Sequence, residues 1–76
     1  MNFHYNITLN TIDSVKDFVA KANKSTHEIS VLSGRYCVDG KSLLGMFSLD
    51  LTHAVEVVVT GEDKEFLEAI QTYAHF

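Results

Sequence analysis

The sequence predicts an α+β protein built as a two-layer sandwich, with one layer of helices over one face of a sheet. Three observations carry this. Segments of period two and segments of helical period succeed one another in the order β-α-β-β-α-β-α. The first strand segment is apolar on one side only, which leaves the other face of the sheet to water. The chain has 76 residues, enough for one core and one domain spanning 1–76.

Residues 2–9 alternate, with Phe3, Tyr5, Ile7 and Leu9 on one side and Asn2, His4, Asn6 and Thr8 on the other. The period then changes. Ile12, Val15, Phe18, Val19 and Ala22 follow helical spacing, and residues 11–24 are expected to form a helix with Ile12 on its buried face. Thr11 is suited to cap it, Asp13 complements the positive end of its dipole, and Lys21 and Lys24 complement the negative end. Residues 28–32 and Tyr36-Cys37-Val38 read as a hairpin about Ser33-Gly34. Asp39-Gly40 breaks it. Residues 41–49 are expected to form a short buried helix despite Gly45, which costs roughly 1 kcal/mol there relative to alanine, with Leu43, Leu44 and Leu49 in the core. Residues 54–60 are the most β-prone stretch, Gly61 ends it, and a last helix begins at Glu62 with Phe66, Leu67, Ile70 and Tyr73 on one face. A ferredoxin-like arrangement has no place for a helix at 41–49 after the hairpin.

Composition narrows the function. Ten acidic against six basic residues leave a net charge of −4, so the overall field does not draw the protein to nucleic acid. The longest purely apolar run, Val57-Val58-Val59, is far too short for a bilayer, and Met1 to Asn10 lack the pattern of a signal peptide. A cytoplasmic protein without membrane or cofactor is expected. The single cysteine, Cys37, excludes an internal disulfide and reads as a packed or neutral thiol rather than a nucleophile. His4, His27, His53 and His75 have no metal-ligand spacing and read as solvated surface histidines, so no metal site is expected. Glu62, Asp63 and Glu65 read as charge at a helix start.

The run Asp39-Gly40-Lys41-Ser42-Leu43-Leu44-Gly45-Met46-Phe47-Ser48-Leu49-Asp50-Leu51 resembles the second-helix segment of HPr, the histidine-containing phosphocarrier of the bacterial sugar phosphotransferase system. Phe18-Val19-Ala20-Lys21-Ala22 and Glu28-Ile29-Ser30-Val31 extend the resemblance over nearly the whole chain. It implies four antiparallel strands under three helices. It also implies protein partners, either phosphotransferase-system components or a regulator protein.

The resemblance fails where the family does its chemistry. The family phosphorylates a histidine in a His-x-Arg-Pro setting at the start of the first helix. An ungapped alignment anchored on Phe18 puts Thr11 at the histidine position, Asp13 at the arginine position and Ser14 at the proline position. Threonine has no imidazole nitrogen, and Asp13 repels a phosphoryl group. A divergent member without phosphocarrier activity is expected.

Ser42 matches a serine that serves some HPr proteins as a regulatory phosphorylation site, with Lys41 placed to add a charge-assisted contact. It also reads as a plain helix cap. A histidine-lacking family branch, the catabolite-repression HPr-like protein, keeps this serine and binds a transcription regulator. The helix surface after Ser42 is where HPr partners dock, so Lys41, Gly45, Met46, Phe47 and Leu51 are candidate partner contacts, with Met46 or Phe47 as an exposed anchor. His53 is an alternative phosphoryl acceptor, opposed by Asp13 and Asp50, and a small scaffold of unrelated role is a further alternative. The assembly is expected to be a monomer or weak homodimer, since the terminal first strand can exchange.

Overall fold

The computed structural model describes residues 1–75, with side chains through Ala74. The expectation for His75 as a solvated side chain therefore lies outside the described residues. The elements run β1 (Phe3–Ile7), α1 (Ile12–Asn23), β2 (Ile29–Ser33), β3 (Tyr36–Asp39), α2 (Leu43–Phe47), β4 (Val55–Val59), α3 (Lys64–Ile70) and β5 (Ala74–His75). All strand pairings are antiparallel, in the order β3-β2-β4-β1-β5.

The alternation in the sequence sets the two faces of this sheet. Ile7, Ile29, Val31, Val55, Val57 and Val59 point inward and are buried, while His4, Asn6, Ser30, Cys37 and Glu56 take the opposite parity. Val15, Phe18, Val19 and Ala22 of α1 and Phe66 and Ile70 of α3 complete the core from the helical side. The rings of Phe18 and Phe66 meet edge to face at 5.8 Å, which locks α1 to α3. On the open face, His4 and Glu56 pair across neighbouring strands at 2.6 Å.

Local chemistry sets the turns. Gly34 has φ of +60°, and Gly34 and Arg35 join Ser33 to its partner Tyr36, a two-residue hairpin with glycine at the left-handed first position. Gly40 lets the chain leave β3 closely: a Cβ there would stand 2.7 Å from Ile29 Cγ2. Thr11 caps α1, Ser42 caps α2 and Asp63 caps α3, each accepting from a backbone N–H three residues on.

Several expectations need correction. The last helix starts at Lys64, not Glu62, because Asp63 is its cap, and it ends at Ile70. Tyr73 lies beyond it, in a tight 3-10 turn over Gln71–Tyr73. That turn lays Ala74 and His75 against β1 as a short fifth strand, with Ile7 opposite Ala74. The Tyr73 hydroxyl donates to Asp17 Oδ2, which also takes the Lys21 ammonium at 2.6 Å. Asp17 is thereby held below the ordinary carboxylate range, first by Lys21 and then by Tyr73, and the Tyr73 phenol is pushed up to about 12 by the same carboxylate. Cys37 is exposed, not packed, because its position on β3 faces the open side of the sheet. His27 is half-buried against Gly61, where a Cβ would stand 2.5 Å from its Cε1.

The largest correction concerns α2. It is five residues long, so it presents little more than one turn to the sheet. Met46, expected as an exposed anchor, fills the core completely, whereas Leu44, expected in the core, is 84% exposed. Leu43 is also exposed, and Leu49 is buried as expected. Ile12, assigned to the buried face of α1, is 64% exposed.

Candidate functional site

The start of α1 is closed by its own side chains. Thr11 Oγ1 accepts the Ser14 N–H at 3.0 Å, and Ser14 Oγ accepts the Thr11 N–H at 3.1 Å. The Ser14 hydroxyl also donates to the Thr11 carbonyl at 2.7 Å. The threonine hydroxyl and two N–H groups that an anion would need are therefore engaged. Asp13, exposed in the same first turn, adds a full negative charge beside them.

Next to this cap lies an open apolar groove of about 300 Å³ between α1 and the segment after α2. Leu9, Thr11, Ile12 and Val15 form one wall, and Phe47, Leu51 and Thr52 form the other. The structure thus brings Thr11, Phe47 and Leu51 together, although they are far apart in sequence. Phe47 is 43% exposed and Leu51 half-buried. Ile12, Leu43 and Leu44 are the exposed apolar residues that the sequence pattern placed in the core. For Leu44 the available signal was the shortness of a helix bounded by Gly40 and Asp50, which allows only part of an apolar run to face inward. For Ile12 it was its place in the first turn, beside a capping threonine.

The other expected contacts are placed differently. Gly45 faces β3: a Cβ there would lie 3.4 Å from Val38 Cβ and 3.3 Å from Ser42 Oγ, so glycine permits a close approach to the sheet. The Lys41 ammonium donates to the Ser25 carbonyl at 2.7 Å, and Asn23 Nδ2 donates to the Lys41 carbonyl at 3.0 Å. Lys41 is thus engaged at the end of α1 and not with Ser42, contrary to the contact expected from sequence. Ser42 Oγ accepts the Gly45 N–H at 3.1 Å and is half-buried. His53 is exposed, in the loop whose Leu51 and Thr52 line the groove, but it does not line the groove itself. Asp50, three residues before it, accepts both the Thr52 hydroxyl and N–H, which hold its carboxyl below the usual range.

Behind these, Ser25 is buried and donates to Asp63 Oδ2, while Asp63 Oδ1 takes the Phe66 N–H at 3.0 Å. These bonds, Ser25 first, depress the Asp63 carboxyl. The node ties the α1–β2 loop to the start of α3. Among the described residues, no cluster of three or more His, Cys, Asp or Glu is arranged to hold a metal, and no helix is long and apolar enough to cross a membrane.

An antiparallel open-faced sheet under three helices, with an apolar groove at the junction of α1 and α2, defines an HPr-like sandwich. Solved structures share this fold. HPr-C-His from Thermoanaerobacter tengcongensis superposes with a TM-score of 0.76 at 23% identity, over 95% of this chain and 88% of that one. A phosphocarrier protein HPr from Bacillus anthracis strain Ames does so with a TM-score of 0.73 at 23% identity, over 99% and 96%. The family model described as the PTS HPr component phosphorylation site matches residues 13–75, and the chain belongs to this phosphotransferase-system HPr family. The match begins at Asp13, just past Thr11. No curated protein matches the chain by sequence.

Proposed function

We propose that this protein is a non-enzymatic HPr-like adaptor, without phosphocarrier activity, that binds a protein partner through the α1–α2 groove. The observation that carries this reading is the capping box at Thr11. The residue aligned with the family histidine spends its hydroxyl on Ser14 and has no nitrogen to phosphorylate, while the apolar groove beside it stays open. Exposed apolar side chains around a pocket are the usual makings of an interface anchor. Partners are phosphotransferase-system or regulator proteins, and the setting is the cytoplasm.

Ser42 is the regulatory site in this reading. Its hydroxyl already meets a backbone N–H at the start of α2, and phosphate oxygens would take over that contact. The added negative charge would stand at the start of the helix whose last residue, Phe47, lines the groove.

Two assays on the intact protein test the proposal. With phosphoenolpyruvate and the general phosphotransferase enzyme, the protein should take up no acid-labile phosphate. Label on His53 would replace the adaptor reading with a displaced phosphocarrier. With ATP and the HPr serine kinase, label should appear and vanish in Ser42→Ala. An unlabelled protein would remove the switch and leave a docking role.

A further inference from the structure

We propose that β3 is a self-pairing edge. Two copies of this chain join antiparallel along it, with Cys37 on the two-fold axis and Arg35 of each copy opposite Asp39 of the other. The proposal goes beyond the adaptor reading and does not use the groove.

The two edges of the sheet differ. β1 is partly covered by β5, whereas β3 has a neighbour on one side only. Natural edges are commonly blunted by lysine, proline or a bulge. Tyr36-Cys37-Val38-Asp39 has no lysine or proline, and its register with β2 runs unbroken. Bonding groups alternate along an antiparallel ladder. The Gly40 N–H donates to the Ile29 carbonyl at 2.7 Å, so Val38 and Tyr36 also bond toward β2. Cys37 and Asp39 therefore turn their N–H groups to the open edge, as Cys37 does its carbonyl. The Asp39 carbonyl is already taken by the Ser42 N–H.

The residues select a second copy as the occupant. An axis at Asp39 would set two carboxylates against each other, which is unfavourable. An axis at Cys37 gives two backbone hydrogen bonds between the Cys37 residues and sets each neighbour against a complement. Arg35 meets Asp39 as an opposite charge. Tyr36, 68% exposed, meets the half-buried Val38 on the helical side, an aromatic residue beside a β-branched one. Among the described residues, neither Arg35 nor Asp39 has an ion-pair partner in its own chain. Asp39 Oδ1 accepts the Lys41 N–H, but the Lys41 ammonium goes to the Ser25 carbonyl, so the Asp39 charge is left to the edge. The net charge of −4 opposes association at long range. At physiological salt that repulsion is screened beyond about 8 Å, whereas the facing pairs lie closer. Such a contact is isologous and leaves β1 between β4 and β5, unlike an exchange of the first strand.

A contact of this size is weak, so the intact protein is titrated to about 1 mM under reducing conditions and followed by NMR and sedimentation equilibrium. A dimer should form as concentration rises, with shifts centred on Arg35 to Asp39. In a mixture of differently labelled copies, an isotope-filtered NOE should join Tyr36 of one copy to Val38 of the other. Arg35→Glu turns two attractions into repulsions and should weaken association about tenfold. Asp39→Asn keeps the acceptor for the Lys41 N–H and should weaken it about threefold. Adding Asp39→Lys to Arg35→Glu should restore it. A monomer at every concentration, shifts centred on β1 or on the groove, no contact between Tyr36 and Val38 across copies, or unchanged association of Arg35→Glu overturns the proposal. None of these outcomes bears on the adaptor reading, which the phosphotransfer assays decide separately.

Discussion

Truncating Met46 should cost far more than truncating Leu44, although the two residues sit two positions apart in one short helix. Met46 is fully buried and belongs to the continuous core, so Met46→Ala removes three buried heavy atoms and leaves a cavity between α2 and the sheet. Such truncations cost about 2–5 kcal/mol. At roughly 0.05–0.15 kcal/mol per residue, a chain of 76 residues has on the order of 4–11 kcal/mol in all, so this one change consumes a large share. At about 4–8 °C per kcal/mol, a loss near 3 kcal/mol lowers Tm by roughly 12–24 °C. Leu44 is 84% exposed, and Leu44→Ala should stay within about 0.5 kcal/mol because alanine is the better helix former. Urea unfolding with a shared slope measures both. Comparable losses for the two variants, or a larger loss at Leu44, would refute the placement of α2.

The Thr11→Ala variant should lose about 1 kcal/mol through the broken capping box, read by the same unfolding assay. Substituting Gly40→Ala should cost about 1–3 kcal/mol by overpacking, since its Cβ would meet Ile29 Cγ2 at 2.7 Å. The stability contributed by Asp63 and Asp17 should be level above about pH 4 and fall below it. Asp63 and Asp17 have folded pKa values below the ordinary 3.8, so their contribution is present above that value and lost as pH drops through the folded ones. Asp63→Asn should flatten part of this acid limb. At the alkaline end the sign reverses. The Tyr73 phenol, raised to about 12, stabilises fully below pH 10, and that contribution is lost as pH climbs to its folded value. The Tyr73→Phe variant should lack the phenolate absorbance step near pH 12.

Much of the fold was legible in the residues because period and caps are local. Val15, Phe18, Val19 and Ala22 lie on one helical face whatever surrounds the helix, and all are buried. The alternation of Val55, Val57 and Val59 likewise sorted the sheet faces correctly. Legibility failed in short elements. Five residues of α2 cannot establish a period, so Leu43, Leu44 and Met46 were interchangeable by pattern, and only the height of α2 over Val38 decides which points inward. The fifth strand escaped for a similar reason. Two residues carry no alternation, and their pairing depends on the 3-10 turn at Gln71–Tyr73 that returns the chain to β1.

The candidate site divides along the same line. The amino-acid sequence alone determined the element order, the capping role of Thr11 and Ser42, and the absence of an imidazole and guanidinium at the start of α1. These are matters of residue type at a position, and packing cannot alter them. The groove is another matter. Residues 9–15 and 47–52 meet only after α1 and α2 settle on the sheet, and that meeting exposes Ile12, buries Met46 and turns Lys41 toward Ser25. Burial is a property of two surfaces at once. A sequence states one of them, and the tertiary structure supplies the other.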